Sequence, residues 1–225
     1  MFKGTQTFLL MLFAAVVSAG AIAQQDRITS VIDAAQTVAL RGSVSPLAQP
    51  QNDLGPLDPS MKLTYVTMLL RPSAAQEAAL KQLLAEQQDP SSPNYHKWLT
   101  PEQYGERFGL SHADIATINH WLRAQGFGIA EVARGRNWIA FSGTVRQIEQ
   151  VFHTQIDRFT VDGEERFANI TDPSIPKALE GIVSGFRGLN NFKAKPAIVT
   201  KPVNVSPDYT VSGNHYLAPD DIAKI

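Results

Sequence analysis

The sequence predicts an α+β fold in which one antiparallel sheet carries helices on one face. Three observations predict it. An apolar strand pattern, KLTYVTMLL, occupies Lys62–Leu70. Good N-cap residues then start helical patterns at Ser73, Thr100 and Ser111. Paired strand patterns follow, and a further helix capped by Thr144 lies between them.

The first strand is predicted to be central in its sheet, because both of its faces are apolar. The helix that starts after Ser73 is predicted to bury Leu80, Leu83 and Leu84 as one stripe. Pro90 ends this helix, since proline cannot continue it.

Residues 89–109, DPSSPNYHKWLTPEQYGERFG, concentrate prolines and aromatic side chains between two helices. Pro90 and Pro93 remove backbone donors, so the first half cannot be helical throughout. The stretch is either a small satellite core or a recognition surface. We expect Trp98, Tyr104 and Phe108 to be mainly buried, and Tyr95 and His96 to lie at the loop tip.

The remaining patterns complete the domain. The helix after Ser111 ends at Gly126, and Asp162-Gly163 marks a hairpin because a type I′ turn needs positive φ at both positions. Strands are predicted at 127–133, 138–141, 154–161, 164–168 and 182–186. Two β-α-β halves with an antiparallel sheet indicate a ferredoxin-like α+β sandwich for residues 61–192.

The N-terminus has the features of an export signal. Lys3 precedes an apolar run, and Ala21-Ile22-Ala23 is an A-x-A cleavage site. We therefore expect residues 1–23 to be removed, the mature chain to begin near Gln24, and the protein to be secreted or periplasmic. Residues 24–60 are expected to be extended, with 28–40 adding an edge strand or lying against the domain. The absence of cysteine means that no disulfide supports the fold.

The composition changes after Phe192. Residues 193–214 are predicted to form an exposed, extended linker that proteases can reach. The candidate processing residues in it are Lys193, Lys195, Lys201, Asp208 and Tyr209. Residues 215–225, HYLAPDDIAKI, look like the beginning of another domain, in which the sequence stops.

The chain shows no pattern of catalytic chemistry. It has no Gly-rich phosphate loop, no zinc-type histidine spacing and no nucleophile elbow, so no catalytic, cofactor-binding or metal residue is assigned. The net charge of −1 gives no basic surface for nucleic acid, and no segment after the signal resembles a membrane anchor. Ser142-Gly143-Thr144 is interpreted as a strand end with a helix cap, and Asn169-Ile170-Thr171 matches a glycosylation sequon.

An ordered series of motifs resembles a known family. The series begins with SSPNYHKWLTPEQYGERFG, continues through LSHADIATINHWLRAQGF and GRNWIAFSGTVRQIEQVFHTQI, and ends with DGEERFANITDPSIPKALEGIVSGFRGLNNF. It is similar to the activation domain of pro-kumamolisin, the propeptide of the sedolisin (serine-carboxyl) peptidases, over about residues 63–192. HYLAPDDIAKI also resembles the start of the catalytic domain in these precursors.

The resemblance implies an inactive precursor of a secreted, acid-active endopeptidase. Its propeptide would act as intramolecular chaperone and inhibitor of its own catalytic domain, and would be removed by proteolysis in the linker. Family members use a Ser-Glu-Asp arrangement and Ca²⁺ in the catalytic domain, and no residue here matches those positions. No catalytic residue and no cofactor are therefore assigned within this chain, which resembles the N-terminal part of a serine-type endopeptidase; whether it belongs to an enzyme stays open.

The resemblance also suggests where acid could act. Protonation of carboxylates and histidines at the docking surface would weaken ion pairs between the two domains. The candidate docking and pH-sensing residues are Tyr95, His96, Glu102, Glu106, Glu149 and His153; the alternative is that the charged ones are ordinary solvated side chains. Two other functions stay open: a stand-alone secreted protease inhibitor with the propeptide fold, and a ferredoxin-like module that binds a small ligand or RNA.

Overall fold

A computed structural model describes residues 24–193 and 209–216 of the chain. Two compact units are distinguished, Met1–Asn191 and Phe192–Ile225, and each is described by itself. The α+β prediction is confirmed, since the first unit combines four α-helices with antiparallel sheets.

The described part of the first unit contains four α-helices and nine β-strands. The helices are α1 (Ala74–Gln88), α2 (Pro101–Phe108), α3 (His112–Ala124) and α4 (Val145–Phe152). The strands are β1 (Thr37–Ala39), β2 (Asp53–Pro56), β3 (Lys62–Leu70), β4 (Gly128–Val132), β5 (Trp138–Thr144), β6 (Ile156–Val161), β7 (Glu164–Asn169), β8 (Ser174–Pro176) and β9 (Val183–Arg187).

The main sheet has four antiparallel strands in the order β4-β5-β3-β9. Strand β3 pairs with β5 on one side and β9 on the other, so its predicted central position is confirmed. The helices α1, α2 and α3 lie between β3 and β4 in the chain, and α4 follows β5. The sheet is therefore built from two interleaved β-α-β units.

One face of this sheet forms the core with α3 and α4. Val66 and Met68 of β3 are fully buried on it, opposite Phe141 and Ile139 of β5. The ring of Phe152 in α4 lies 5.8 Å from that of Phe141. Burial of these side chains supplies the main driving force for the fold.

The other face of the sheet is open. Tyr65 of β3 is 51% exposed, and Thr67, Leu69 and Trp138 on the same face are half-buried. The apolar pattern on both faces of β3 correctly indicated a central strand, but the second face is not covered as a buried strand requires.

A second sheet and a strand pair complete the unit. Strands β2, β6 and β7 form a three-stranded antiparallel sheet, and Asp162 and Gly163 in its hairpin have φ of 53° and 75°, as the turn prediction requires. Strand β1 pairs with β8, and Val38 and Leu40 lie against the core. The expectation that 28–40 add an edge strand or lie against the domain is confirmed.

The predicted helix caps are confirmed. Side chains of Ser73, Thr100, Ser111 and Thr144 each accept a hydrogen bond from the backbone N–H three residues ahead. Thr144 thus has the structural role assigned to Ser142-Gly143-Thr144. Such bonds fix where each helix begins, because they satisfy donors that the helix itself leaves unpaired.

Two burial predictions are wrong. In α1, Leu83 is buried but Leu84 is 52% exposed, because the helix contacts the domain along a narrow line that includes Gln87. Trp98 is 60% exposed, whereas Phe108 is buried as expected and Tyr104 is half-buried.

The second unit contains a short hairpin. Strands β10 (Tyr209–Val211) and β11 (Asn214–Tyr216) pair antiparallel around Ser212 and Gly213, whose φ angles are 50° and 78°. The sequence interpretation treated these residues as extended linker up to position 214. It missed a two-residue turn because the flanking strands have only three residues each.

Candidate functional site

The loop between α1 and α2 presents a stack of exposed rings. The rings of Tyr95 and His96 lie 3.8 Å apart, and those of His96 and Trp98 lie 5.8 Å apart. His96 has a φ of 54°, which turns its ring between its neighbours. The structure therefore groups Tyr95 and His96 as expected, and adds Trp98, which was expected to be buried.

Buried and half-buried polar groups of α1 hold this loop. The carbonyl of Gln87 accepts a hydrogen bond from His96 N at 3.2 Å, and its side-chain amide donates to Lys97 O. Asn94 donates to Glu86 Oε2 at 2.6 Å, and this bond is the main cause that lowers the pKa of Glu86. The loop is thus ordered by specific bonds although its rings are exposed.

The turn between β4 and β5 carries an arginine clamp, by which we mean Arg136 and the five atoms that its guanidinium contacts. The residue is 5% exposed, and its Nε donates to Leu110 O at 2.6 Å. The other four contacts are Nη1 with Glu106 Oε1 at 2.7 Å and His112 Nε2 at 2.8 Å, and Nη2 with Gly105 O at 2.6 Å and Gln24 Oε1 at 2.7 Å. All five donors of the guanidinium therefore have partners when His112 Nε2 carries no proton.

Two glycines in and after α2 let this turn approach the helix. A Cβ on Gly105 would lie 2.7 Å from Arg134 O, and one on Gly109 would lie 2.4 Å from Gly135 O. Both distances are too short for real side chains, so the close contact requires glycine at both positions. The sequence GERFG thus fixes where Arg136 enters the domain.

The carboxylates of α2 form ion pairs with this turn. Hydrogen bonding and charge attraction from Arg136 lower the pKa of Glu106, which also lies 3.4 Å from His112 Nε2. Glu102 pairs with Arg134 at 3.0 Å, and its pKa is lowered chiefly by the hydrogen bond from its own backbone N–H at the helix start. The structure therefore brings two of the predicted pH-sensing residues together on one helix.

Glu149 and His153 have local structural roles at the end of α4. Glu149 Oε1 accepts a hydrogen bond from Ile156 N at 2.9 Å, which ties the helix to β6. His153 is the C-cap of α4 with a φ of 47°. The prediction that these two residues contact a partner is not tested by these bonds.

The open sheet face carries an aromatic surface. Tyr65 OH donates to Glu131 Oε2 at 2.8 Å, and this bond is the first cause that raises the pKa of Tyr65. At the β4–β5 end of the sheet, Trp138 lines a hollow of about 430 Å³ together with Tyr104 and Pro101. We call Tyr65, Leu69, Glu131 and Trp138 the open sheet face.

Most of the predicted linker lies outside the described residues, including Lys195, Lys201 and Asp208. Lys193 is exposed at the end of the first described range, and Tyr209 begins β10. Their role in processing stays a prediction.

Other sequence candidates receive structural explanations. Asn169 of the sequon is 1% exposed, and its amide donates to Ser43 O and Thr171 O, so it is a structural residue in the folded domain. Within the described ranges no group of three or more potential metal ligands occurs, and no helix is long and apolar enough to cross a membrane.

Sequence reasoning missed the half-buried Gln24 and the buried Asp114 and Arg136. In the sequence Asp114 is simply an acidic residue in the first turn of a helix, but it is 1% exposed and accepts hydrogen bonds from the backbone N–H groups of residues 27 and 28. The signal that could have revealed the clamp is the pair of glycines four residues apart around α2.

Comparison with known protein families gives a match over most of the folded domain. The family model described as "Pro-kumamolisin, activation domain" matches residues 50–192, which is well over half of the chain.

Three relatives illustrate the match. Xanthomonalisin from Xanthomonas sp. (strain T-22) is 34% identical over 158 residues, covering 65% of this chain and 19% of the relative. Sedolisin from Pseudomonas sp. (strain 101) is 29% identical over 54% of this chain and 21% of its own length. Tripeptidyl-peptidase 1 from Mus musculus is 29% identical over 62% of this chain and 25% of its own length. The chain thus spans about a fifth to a quarter of the length of these relatives.

Proposed function

The chain belongs to the pro-kumamolisin activation domain family, and on that premise we propose that residues 61–192 are the propeptide of a secreted, sedolisin-like serine-carboxyl endopeptidase precursor. The domain would assist folding of the peptidase domain and block it until proteolysis within residues 193–214 at acid pH. The export pattern of residues 1–23 supports secretion. The chain matches only 19–25% of the length of its relatives, which leaves room in such a precursor for a much larger peptidase domain.

The observation that carries this proposal is the open sheet face. The opposite face is already covered by α3 and α4, so this face is the one available to a partner. Its exposed tyrosine and half-buried tryptophan are residue types that are enriched at the centre of protein interfaces. Burying Tyr65 and Trp138 on the peptidase domain would remove apolar surface from water without unfolding the propeptide.

Covalent attachment makes a modest docking affinity sufficient. A flexible linker gives an effective concentration in the millimolar range, so a micromolar intrinsic affinity already keeps the domains together. Cutting the linker removes this advantage, and the propeptide can then dissociate. Acid pH acts in the same direction by protonating exposed carboxylates that pair with arginines of the domain, such as Glu106 with Arg136.

The test adds the full chain in trans to a sedolisin-like peptidase domain. Two quantities are measured: residual peptidase activity at neutral and acid pH, and the yield of active enzyme on refolding from denaturant. We expect inhibition at neutral pH, relief of inhibition at acid pH, and a higher refolding yield. If neither activity nor yield responds to the chain, the propeptide function is wrong.

Variants then test the docking surface separately. Tyr65→Ala and Trp138→Ala are each expected to weaken inhibition at least tenfold, which corresponds to about 1.4 kcal/mol. Leu84→Ala is the matched control, because Leu84 is 52% exposed, as Tyr65 is 51% exposed, but lies on α1. Inhibition that persists in the first two variants and is lost in the control would move the docking surface to α1.

A further inference from the structure

The N-terminal segment, residues 24–28, is attached to the domain at two points. At the first point the side-chain amide of Gln24 is bound at both ends. Its Nε2 donates to Gly105 O at 2.9 Å and to Gly109 O, and its Oε1 accepts from Arg136 Nη2 at 2.7 Å. Such an arrangement recognises a primary carboxamide, because it provides acceptors for the NH₂ group and a donor for the oxygen.

At the second point a buried carboxylate binds the backbone. Asp114 accepts from Arg27 N at 2.9 and 3.1 Å and from Ile28 N at 2.9 Å. The guanidinium of Arg27 also donates to Arg71 O at 2.6 Å and Gly181 O at 2.7 Å. The segment is therefore bound both through its main chain and through two side chains.

The domain holds the receiving groups in place independently of the segment. Arg136 is fixed by its bonds to Leu110 O and Glu106, and Asp114 lies in the first turn of α3, where its N–H donates to Ser111 Oγ. Receiving groups fixed in this way lose little entropy when a peptide binds.

We propose that these groups form a peptide-binding site selective for glutamine, and that residues 24–28 are its built-in ligand. The selectivity follows from the contacts of Gln24. Glutamate would place a second oxygen against the carbonyls of Gly105 and Gly109, and leucine would leave Arg136 without one acceptor. A matching peptide has one glutamine, and the backbone N–H groups three and four residues after it are free to bind Asp114.

The ligand lies outside the family-matched residues 50–192, whereas the site residues lie inside them. A separate cleft of about 340 Å³, lined by Ser73 and Gln76 among others, lies beside α1 next to the site. Residues 24–28 precede the first strand of the domain, so they can leave this site while the domain stays folded, and another peptide can then enter. The inference does not rest on the proposed function.

The first experiment compares the full chain with its variants Gln24→Glu and Gln25→Glu. Hydrogen exchange is measured at the amides of Arg27 and Ile28, which donate to Asp114. We expect exchange at least tenfold faster in the Gln24 variant. Gln25 is exposed and adjacent, so its variant is the matched control and is expected to exchange like wild type. Equal exchange in the two variants would overturn the selectivity for Gln24.

The second experiment asks whether the site binds a peptide in trans. The protein used is the full chain with two substitutions, Gln24→Glu and Arg27→Pro, each of which weakens one attachment point of its own segment. A fluorescent peptide of residues 24–36 is added to it. Anisotropy should show binding that is at least tenfold weaker for the peptide with Gln24→Glu and unchanged for that with Gln25→Glu. Equal affinities of the two substituted peptides would overturn the proposal. So would the absence of binding while the near-ultraviolet circular dichroism of the protein stays native. If the doubly substituted protein unfolds, the hydrogen-exchange experiment decides alone.

Discussion

Replacement of Arg136 by methionine is predicted to lower the free energy of unfolding by about 3 kcal/mol. Methionine keeps most of the length and apolar volume of the arginine stem, so the change removes the guanidinium while disturbing the surrounding side chains little. Because Arg136 already has a φ of 49°, the backbone strain is the same before and after the substitution.

The magnitude follows from the partners of the guanidinium. Glu106 and His112 have side chains that are 63% and 80% exposed, so water replaces Arg136 there at little cost. Leu110 O is buried and loses the guanidinium donor, which costs about 1–3 kcal/mol. Gly105 O keeps bonds from Gly109 N and Gln24, so its loss is the smaller one. The loss of the bond to Gln24 adds a contribution from the N-terminal segment.

Urea unfolding of the full chain measures this prediction, with Arg134→Met as the control. Arg134 lies in the same turn and has a charged partner, but its side chain is 72% exposed, so its loss should cost less than about 0.5 kcal/mol. For a domain of this size, 3 kcal/mol also corresponds to a fall in Tm of about 6–12 °C. If the two variants unfold within about 1 kcal/mol of each other, the clamp does not stabilise the domain as argued.

Four further predictions concern pH, close packing and exposure. The pKa of Glu106 is lowered in the folded state, so the stability that its ionised form contributes is present above pH about 4.3 and is lost in acid. In Glu106→Gln, the urea concentration at the unfolding midpoint should therefore fall less between pH 6 and pH 3 than in the wild type. Burial raises the pKa of Asp157, so the stability that its protonated form contributes is present below pH about 3.9 and is lost as the pH rises. Asp157→Asn should remove this pH-dependent part of the stability, measured in the same series of urea unfolding curves. Gly109→Ala should lower the free energy of unfolding in urea by more than about 2 kcal/mol, because the added Cβ would meet Gly135 O. Gly185→Ala is the control and should cost less than about 1 kcal/mol, because nothing lies near an added Cβ there. Equal costs would contradict the argument that Gly109 is required for close approach. Trp98→Ala should change unfolding by less than about 1 kcal/mol, and a cost near 3 would show that the ring is buried after all.

Local signals in the sequence predicted most of the secondary structure. Each N-cap, the Asp162-Gly163 turn and the central strand β3 depend on interactions within a few residues or on the pattern of one strand, and these interactions can be read from the chain. The order of strands and helices then left few ways to assemble the sheet.

The long-range polar contacts could not be predicted in this way. Asp114 and residues 27 and 28 are 86 or more positions apart, and an acidic residue in the first turn of a helix is usually explained by the helix dipole. Trp98 was expected to be buried because large aromatic residues usually are. Its loop is instead held by Gln87 and by the stacking of its own rings, so the tryptophan does not need the core to be ordered.

Two exposed aromatic surfaces could receive a partner, and their construction distinguishes them. The rings of Tyr95, His96 and Trp98 already contact one another, so a partner that covers them gains only the outer part of the stack. Tyr65 and Trp138 belong instead to paired central strands whose positions are fixed by backbone hydrogen bonds on both sides. A partner can therefore bury them without ordering a loop, and since ordering side chains and loops opposes association, the open sheet face provides the more favourable docking surface.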